Sequence, residues 1–491
     1  MTRRNHSGVG AVVGLAGLLV FAGGCGVVDD VLNVENPSQI PITNLNDSKL
    51  INVMVNGVIG DFTHMYDDPF IWRGSMLTDE QVTGINWEQT ARLNLRIVRY
   101  EEGDADLMFG AISRALRQAE DVGARIRNVL DTAANRDARL ATTLAFAGYS
   151  YVVMGEAMCQ ALVSTVDPVT GAITPGDHFL TPDSLFRRAV PRFQEAITVA
   201  TAAGNTQILN LARVGLARAY LNLGDKANTK AFAALVPANF KYVLEYSSNT
   251  PRENNVLWTR VTGSNHALGV SPWFLQTGPN STTPMTGGAP FRTQGLKKYE
   301  TDPRIQHSSR WTTGHNALTP LYKPYQGLRF TGYSGKRLVD STTVVEGTDV
   351  KLFEAGTGII LADYLEAQHH FAEADGPTAA TVTFINQRRA AGFLPPVTLT
   401  PGVDDAAIMA ELRNQRGRDL YLGGFRLGDL RRWKRQGVGD FFPTGPHVNT
   451  QVSPSTWPGY QDATCFPIPL PELQANPNEA IKTFVPASKD P

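Results

Sequence analysis

LNLARVGLARAYLNLG, residues 209–224, carries the pattern on which the reading of the whole chain turns. Within it Leu216-Ala217-x2-Tyr220-x3-Gly224 places small residues beside an aromatic at helical spacing. Small residues let two helices approach closely, and the aromatic fills the groove beside them. The spacing predicts a helix over Leu209 to Leu223. Before the Gly204-Asn205 break, Leu185, Ala189, Phe193, Ala196, Ile197 and Ala200 mark one face of a partner helix. Pro191 falls inside that pattern and is expected to kink it or shift its start. Further upstream, Phe109, Ile112, Leu116, Ala119, Ala124 and Ile126 predict a helix over Asp106 to Leu130. Leu140, Leu144, Ala147, Tyr151 and Met154 predict another over Ala134 to Ala161. Helices return at Ile359 to Ala374, at Ala379 to Ala391 before Gly392, and at Asp404 to Tyr421.

The small-and-aromatic pattern resembles that of tetratricopeptide helices. Ala145-x3-Tyr149 and Ala367-x3-Phe371 repeat it, each in an apolar helix. The copies are irregularly spaced, so the fold expected is mostly α, a degenerate array of helix pairs. Residues 250–350 break character, being rich in Gly, Pro, Thr, Asn and aromatics without helical period. A stretch of that length is too long for a connection, so a large loop-rich insertion is expected.

The chain has 491 residues, with 45 basic and 46 acidic side chains and a net charge of −1. No global field favours nucleic acid, and no nucleic-acid partner is expected. Near the start, Arg3 and Arg4 precede an apolar run at residues 9–22. A spanning helix needs about 20 apolar residues, so the run reads as a secretory signal. Gly23-Gly24-Cys25 follows directly and resembles a bacterial lipobox, with Ala22 where leucine is usual. Cys25 is then the acylated first residue of the mature protein. Gly26 in place of aspartate leaves outer-membrane sorting open. Only Cys159 and Cys465 remain. They either pair in an oxidising compartment or stay as buried thiols, and their spacing does not decide between the two.

Three stretches late in the chain carry a family resemblance. They are Phe384 to Pro395 (FINQRRAAGFLP), Arg416 to Trp433 (RGRDLYLGGFRLGDLRRW) and Cys465 to Asn478 (CFPIPLPELQANPN). In this order, with Asp302-Pro303-Arg304 and Asn36-Pro37, they resemble the RagB/SusD family of outer-membrane glycan-binding lipoproteins. Gln415, Gly417, Asp419, Gly423 and Phe425 depart from the usual residues of the second stretch, while Arg416, Arg418, Gly424, Arg426, Asp429 and Arg432 keep to them. These arginines are read as pairing with carboxylates and carbonyls inside the fold, not as a basic patch for polyanions.

The resemblance implies a SusD-like fold and a binding protein, not an enzyme, with no cofactor. It implies capture of oligosaccharide or peptide at the cell exterior. It implies delivery to a TonB-dependent SusC-like outer-membrane transporter, for which the protein acts as a lid. Five segments follow. Residues 1–24 are the signal peptide and 25–45 a lipid-anchored tether. Residues 46–249 hold the first helices, 250–350 the ligand-binding insertion, and 351–491 the C-terminal helices and tail.

Sugar rings stack on flat aromatic faces, and their hydroxyls take polar partners. Loop-borne aromatics beside polar groups are therefore the ligand-binding candidates: Trp72 with Arg73, Trp87, Trp273 with Phe274, Trp311, Tyr322 and Tyr325. Two other readings compete. One is a tetratricopeptide-type envelope scaffold. The other is a surface glycoside hydrolase, which needs two carboxylates across the scissile bond. Asp67-Asp68, Asp79-Glu80 and Asp404-Asp405 are available but read as surface turns or helix starts. No metal is expected, because His369 and His370 are adjacent on a helix and point to different faces.

Overall fold

The computed structural model describes residues 45–83, 87–261, 268–271, 302–307, 312–313, 320–321, 324–331, 354–445, 447 and 459–490. Contacts divide the chain between Leu45 and Asn46, and every helix and strand named below belongs to the second unit. The lipobox cysteine Cys25 and most of the 250–350 insertion lie outside the described residues.

Helix α1 (Ile51–Met65) buries Ile51, Met54, Val55, Val58 and Phe62 along one face. An irregular turn, Tyr66–Ile71, leads into the short helix α2 (Trp72–Met76). Strand β1 (Gln81–Thr83) and helix α3 (Glu88–Asn94) follow. Then come α4 (Gly103–Leu130), α5 (Ala138–Ala157), α6 (Pro182–Ala202), α7 (Thr206–Asn222) and α8 (Lys226–Ala233), each packed on the one before it. Caps start these helices where the sequence offers them. The Asp137 carboxylate accepts from Arg139 N at 2.9 Å, and Asn205 Oδ1 accepts from Ile208 N at 3.0 Å. Helix α5 is buried all round from Leu140 to Ala157, as a helix enclosed by neighbours must be.

The close approach foreseen in residues 209–224 is centred on glycine. The Phe193 ring of α6 fits between Gly148 of α5 and Gly215 of α7. A Cβ on Gly215 would stand 2.4 Å from that ring, and one on Gly148 2.7 Å from it. Tyr149 meets Phe193 edge-on at 5.1 Å, and its hydroxyl donates to Leu211 O at 3.0 Å. Pro191 neither kinks α6 into two helices nor moves its start. Helix α6 begins at Pro182 behind the Thr181 cap and runs through Pro191, which lies on the exposed side. There the unpaired carbonyl is left to water.

Strand β2 (Lys241–Leu244) and helix α9 (Val256–Val261) precede strand β3 (Leu268–Val270). β3 pairs antiparallel with β1, Val82 opposite Gly269. The predicted helix from Ile359 is corrected at its start. Ile359–Asp363 is strand β4, antiparallel to β2. Ile359 to Ala362 are buried on both faces, so the run shows no alternation and reads like a helix. Helix α10 (Tyr364–Asp375) begins only after Asp363, whose carboxylate caps Glu366 N at 2.8 Å. Helices α11 (Ala379–Ala391), α12 (Asp405–Asp419) and α13 (Arg426–Arg435) complete the C-terminal part. A disulfide joins Cys159 to Cys465, and Cys159 N donates to Phe466 O at 2.9 Å.

The arginines of α12 and α13 point inward. Arg416 forks onto Asp429 at 2.7 and 3.0 Å, and Arg432 reaches Asp429 at 2.8 Å and Glu373 at 2.9 Å. Arg304 bridges Asp302 and Asp419. Arg218 of α7 holds Glu156 of α5. This cluster is interior pairing and not a basic surface.

Candidate functional site

The site is built where the turn after α1 meets α9. The Asp67 carboxylate sits inside this junction, fully buried. Its Oδ2 accepts from Val256 N, the first residue of α9, at 2.6 Å, and its Oδ1 accepts from Asp68 N at 2.8 Å. Burial pushes its pKa well above the ordinary carboxylate value. Asp67 thereby fixes where α9 starts and brings Arg260, one turn on, across the Trp72 ring. The Arg260 guanidinium carbon lies 4.1 Å from the Trp72 ring centroid and 5.6 Å from that of Trp87. The Arg73 guanidinium lies over the same Trp72 ring at 4.2 Å. Arg73 also pairs with Asp68 and, at 2.9 Å, with Asp104.

Trp87 is placed by α3 and β1. It precedes α3, and its carbonyl accepts from Ala91 N at 2.9 Å. The Asn94 side chain ties that helix to the ribbon: Nδ2 donates to Met76 O at 2.9 Å and Gln81 O at 3.1 Å, and Oδ1 accepts from Thr83 N at 3.0 Å. Trp87 is 40% exposed, whereas Trp72 is 3% exposed. Trp72 is therefore not the loop-borne contact expected from sequence. With Arg73 it lies buried on α2, forming the floor under Arg260. Trp87 is the indole of the pair that stays part-exposed.

The carboxylates offered for hydrolysis are corrected in the same way. Asp79 and Glu80 are buried, not at a surface turn. Asp79 takes the Arg426 fork at 2.6 and 2.7 Å. Glu80 Oε1 accepts from Leu422 N at 3.0 Å, and Glu80 O accepts from Ser271 N at 3.0 Å, locking the β1–β3 ribbon to the α12–α13 junction. Asp404 and Asp405 do start a helix at the surface. Burial pushes the Glu80 carboxyl up to about 8 from an ordinary 4.5, against the Leu422 N–H and the Arg426 charge. The folded protein thus holds this proton more tightly than the unfolded chain does. The resulting stability is complete below about pH 4 and is lost as pH rises through about 8. Glu80→Gln should match wild type in urea unfolding at pH 4. At pH 9 it should exceed wild type by at least about 1 kcal/mol, the worth of about one pKa unit.

Trp273, Phe274, Trp311 and Tyr322 lie outside the described residues, as does the side chain of Tyr325. Arg260 was not a candidate from sequence: an arginine in a six-residue helix carries no local signal until the fold sets it on an indole. His369 and His370 turn to different partners, Asp419 at 2.7 Å and Glu366 at 3.1 Å. Among the described residues no cluster of histidine, cysteine or carboxylate side chains suits a metal, and no helix is long and apolar enough to cross a membrane.

Fold and site define a helical-repeat scaffold that carries an aromatic and guanidinium platform outside its repeat. The SusD family model matches residues 306–479. Among solved structures, a SusD homolog from Bacteroides thetaiotaomicron aligns at a TM-score of 0.58 and 15% identity, covering 88% of this chain and 96% of its own. A SusD-like protein from Bacteroides fragilis aligns at 0.59 and 14% identity, covering 89% and 98%. A SusD-like carbohydrate binding protein from Bacteroides vulgatus aligns at 0.53 and 12% identity, covering 78% and 82%. Residues 306–479 thus match the SusD family, and the chain shares the fold of SusD-like proteins. No curated protein matches its sequence significantly.

Proposed function

We propose that the protein is a cell-surface binding lipoprotein. It captures oligosaccharide, or peptide, and delivers it to a TonB-dependent SusC-like outer-membrane transporter as that transporter's lid. It binds and does not catalyse. The observation that carries this reading is the part-exposed Trp87 beside Arg260, held on a platform fastened to the helical scaffold at Asp67, Asn94 and Glu80. A part-exposed indole with a neighbouring donor suits a sugar ring, which is apolar on its faces and polar at its rim. The fold of a SusD-like carbohydrate binding protein supports the ligand class. The Cys25 lipobox supports attachment to the outer membrane facing outward. The remaining candidates, Trp273, Phe274, Trp311, Tyr322 and Tyr325, belong to the proposed insertion of residues 250–350.

Calorimetric titration of the full chain against a panel of oligosaccharides and peptides tests the reading. At least one should bind, and Trp87→Ala should weaken that binding at least about tenfold, at the low end for loss of a stacking aromatic. Silence across the panel, or wild-type affinity in Trp87→Ala, would overturn it. The anchor and the partner have their own readouts: Cys25→Ala should release the protein from membranes, and the wild type should co-purify with a large barrel protein.

A further inference from the structure

A cavity of about 410 Å³ opens between α4 and α6, over Tyr151 of α5. None of the residues of the Trp87 platform described above lines it. Leu116 and Pro191 give it apolar walls, and Val163 to Val166 close one side. That side is firmly held. Thr165 and Val166 pair antiparallel with Thr174 and Ile173. Behind them Gly176 packs so tightly that a Cβ there would stand 2.8 Å from Val163 N, and the Asn476 amide donates to Gly176 O at 2.7 Å.

The charges around this cavity do not balance. Arg188 and Arg192 stand one turn apart on α6, a spacing at which like charges repel. Glu120 of α4 answers Arg192 at 2.7 Å, and Asp121 is taken by Arg125 at 2.9 Å. Arg188, half-buried, and Arg117, exposed on α4, also line the cavity. Neither makes an ion pair among the described residues. Asp177 and Glu472 feel their charge from beyond pairing distance. Two guanidinium charges are left over at one cavity. The Tyr151 hydroxyl lies among these groups. Burial and Glu120 push its pKa up to about 12 against the pull of Arg192 and Arg188. It therefore stays neutral at physiological pH and can donate to an anion.

We infer that this cavity binds a phosphate monoester, with Arg117 and Arg188 on the phosphate oxygens and the organic part of the ligand against Leu116 and Pro191. Such a phosphate carries about −1.5 to −2 charges at pH 7, which matches the two uncancelled guanidinium groups. Its oxygens suit the planar guanidinium fork. A carboxylate carries one charge and leaves the second arginine unanswered.

Calorimetric titration of the full chain at low ionic strength, where charged contacts are least screened, tests this with three probes: phenyl phosphate, benzoate and inorganic phosphate. Phenyl phosphate should bind at least about tenfold more tightly than benzoate, the lower worth of an added hydrogen bond to a charged group. It should also bind more tightly than inorganic phosphate, which has no apolar body. Arg188→Gln and Arg117→Gln should each weaken phenyl phosphate about tenfold or more and bring it close to benzoate. Thermal melts without ligand report whether the variants are folded, and Arg117→Gln, at an exposed position, carries the test if Arg188→Gln is not. Benzoate binding as tightly as phenyl phosphate overturns the inference, as does no binding of phenyl phosphate or wild-type affinity in a folded variant. Inorganic phosphate binding as tightly as phenyl phosphate also overturns it, in favour of a site for the free ion.

Discussion

Arg431→Met should lower the free energy of unfolding by about 3–5 kcal/mol, the cost of breaking a buried ion pair by removing one partner. Arg431 is fully buried in α13. Its guanidinium donates to both Asp490 oxygens at 2.6 and 3.0 Å. It also donates to Gly155 O at 3.1 Å, Glu156 O at 2.8 Å and Met158 O at 3.0 Å. Those three carbonyls lie at the C-terminal end of α5, where the helix leaves acceptors unpaired. One side chain thus ends the central helix and holds the C-terminal tail. Methionine would fill the space but leave three carbonyls without donors and the Asp490 carboxylate with only the Thr464 hydroxyl, at 3.1 Å. Lysine should rescue little, since one ammonium cannot serve acceptors spread this way. Asp490 adds a pH signature. Burial pushes its pKa up, but the Arg431 charge and hydrogen bonds push it further down, to a net value below the ordinary 3.8. Its contribution is therefore present above about pH 4 and lost as pH falls below that. Urea unfolding should show a lower midpoint at pH 7, with the gap to wild type narrowing below pH 4. A loss under about 1 kcal/mol at pH 7 would mean that the tail holds without this residue.

Replacing Cys159 and Cys465 together by alanine should cost up to about 6 kcal/mol, the chain-entropy ceiling for a closed loop of this length. The two cysteines are 306 residues apart, so the bond encloses α6 to α13. Much of that effect belongs to the unfolded chain, which becomes freer once the cross-link is gone. The urea m-value should rise as the midpoint falls, because more surface is exposed on unfolding. The native tail should stay in place, since Phe466 N donates to Ala157 O at 2.9 Å and Arg431 still grips Asp490. A double variant with an unchanged m-value and midpoint would show that the bond contributes nothing in solution.

The helices around residues 182–222 could be read from the chain because period, caps and breaks agree there. The strand at Ile359–Asp363 could not, since a run covered on both faces loses the alternation that marks a half-exposed strand. The inward pairing of the late arginines was legible through the family resemblance of the stretch that carries them. The site was legible only in part. Trp87 could be named but not distinguished from Trp72, because exposure depends on what the fold lays over each ring. Arg260 owes its place to Asp67, nearly two hundred positions earlier, and no local pattern records such a contact.

Apart from Trp433 and Tyr66, the bulkiest fully buried side chains among the described residues are all arginines. Unfolding therefore exposes polar surface together with apolar surface, and the two change heat capacity in opposite directions. A core of this composition should give a smaller heat-capacity increment per residue than an all-hydrocarbon one, and so a broader, flatter stability curve with temperature. Cold would then weaken the fold less steeply than its size alone suggests.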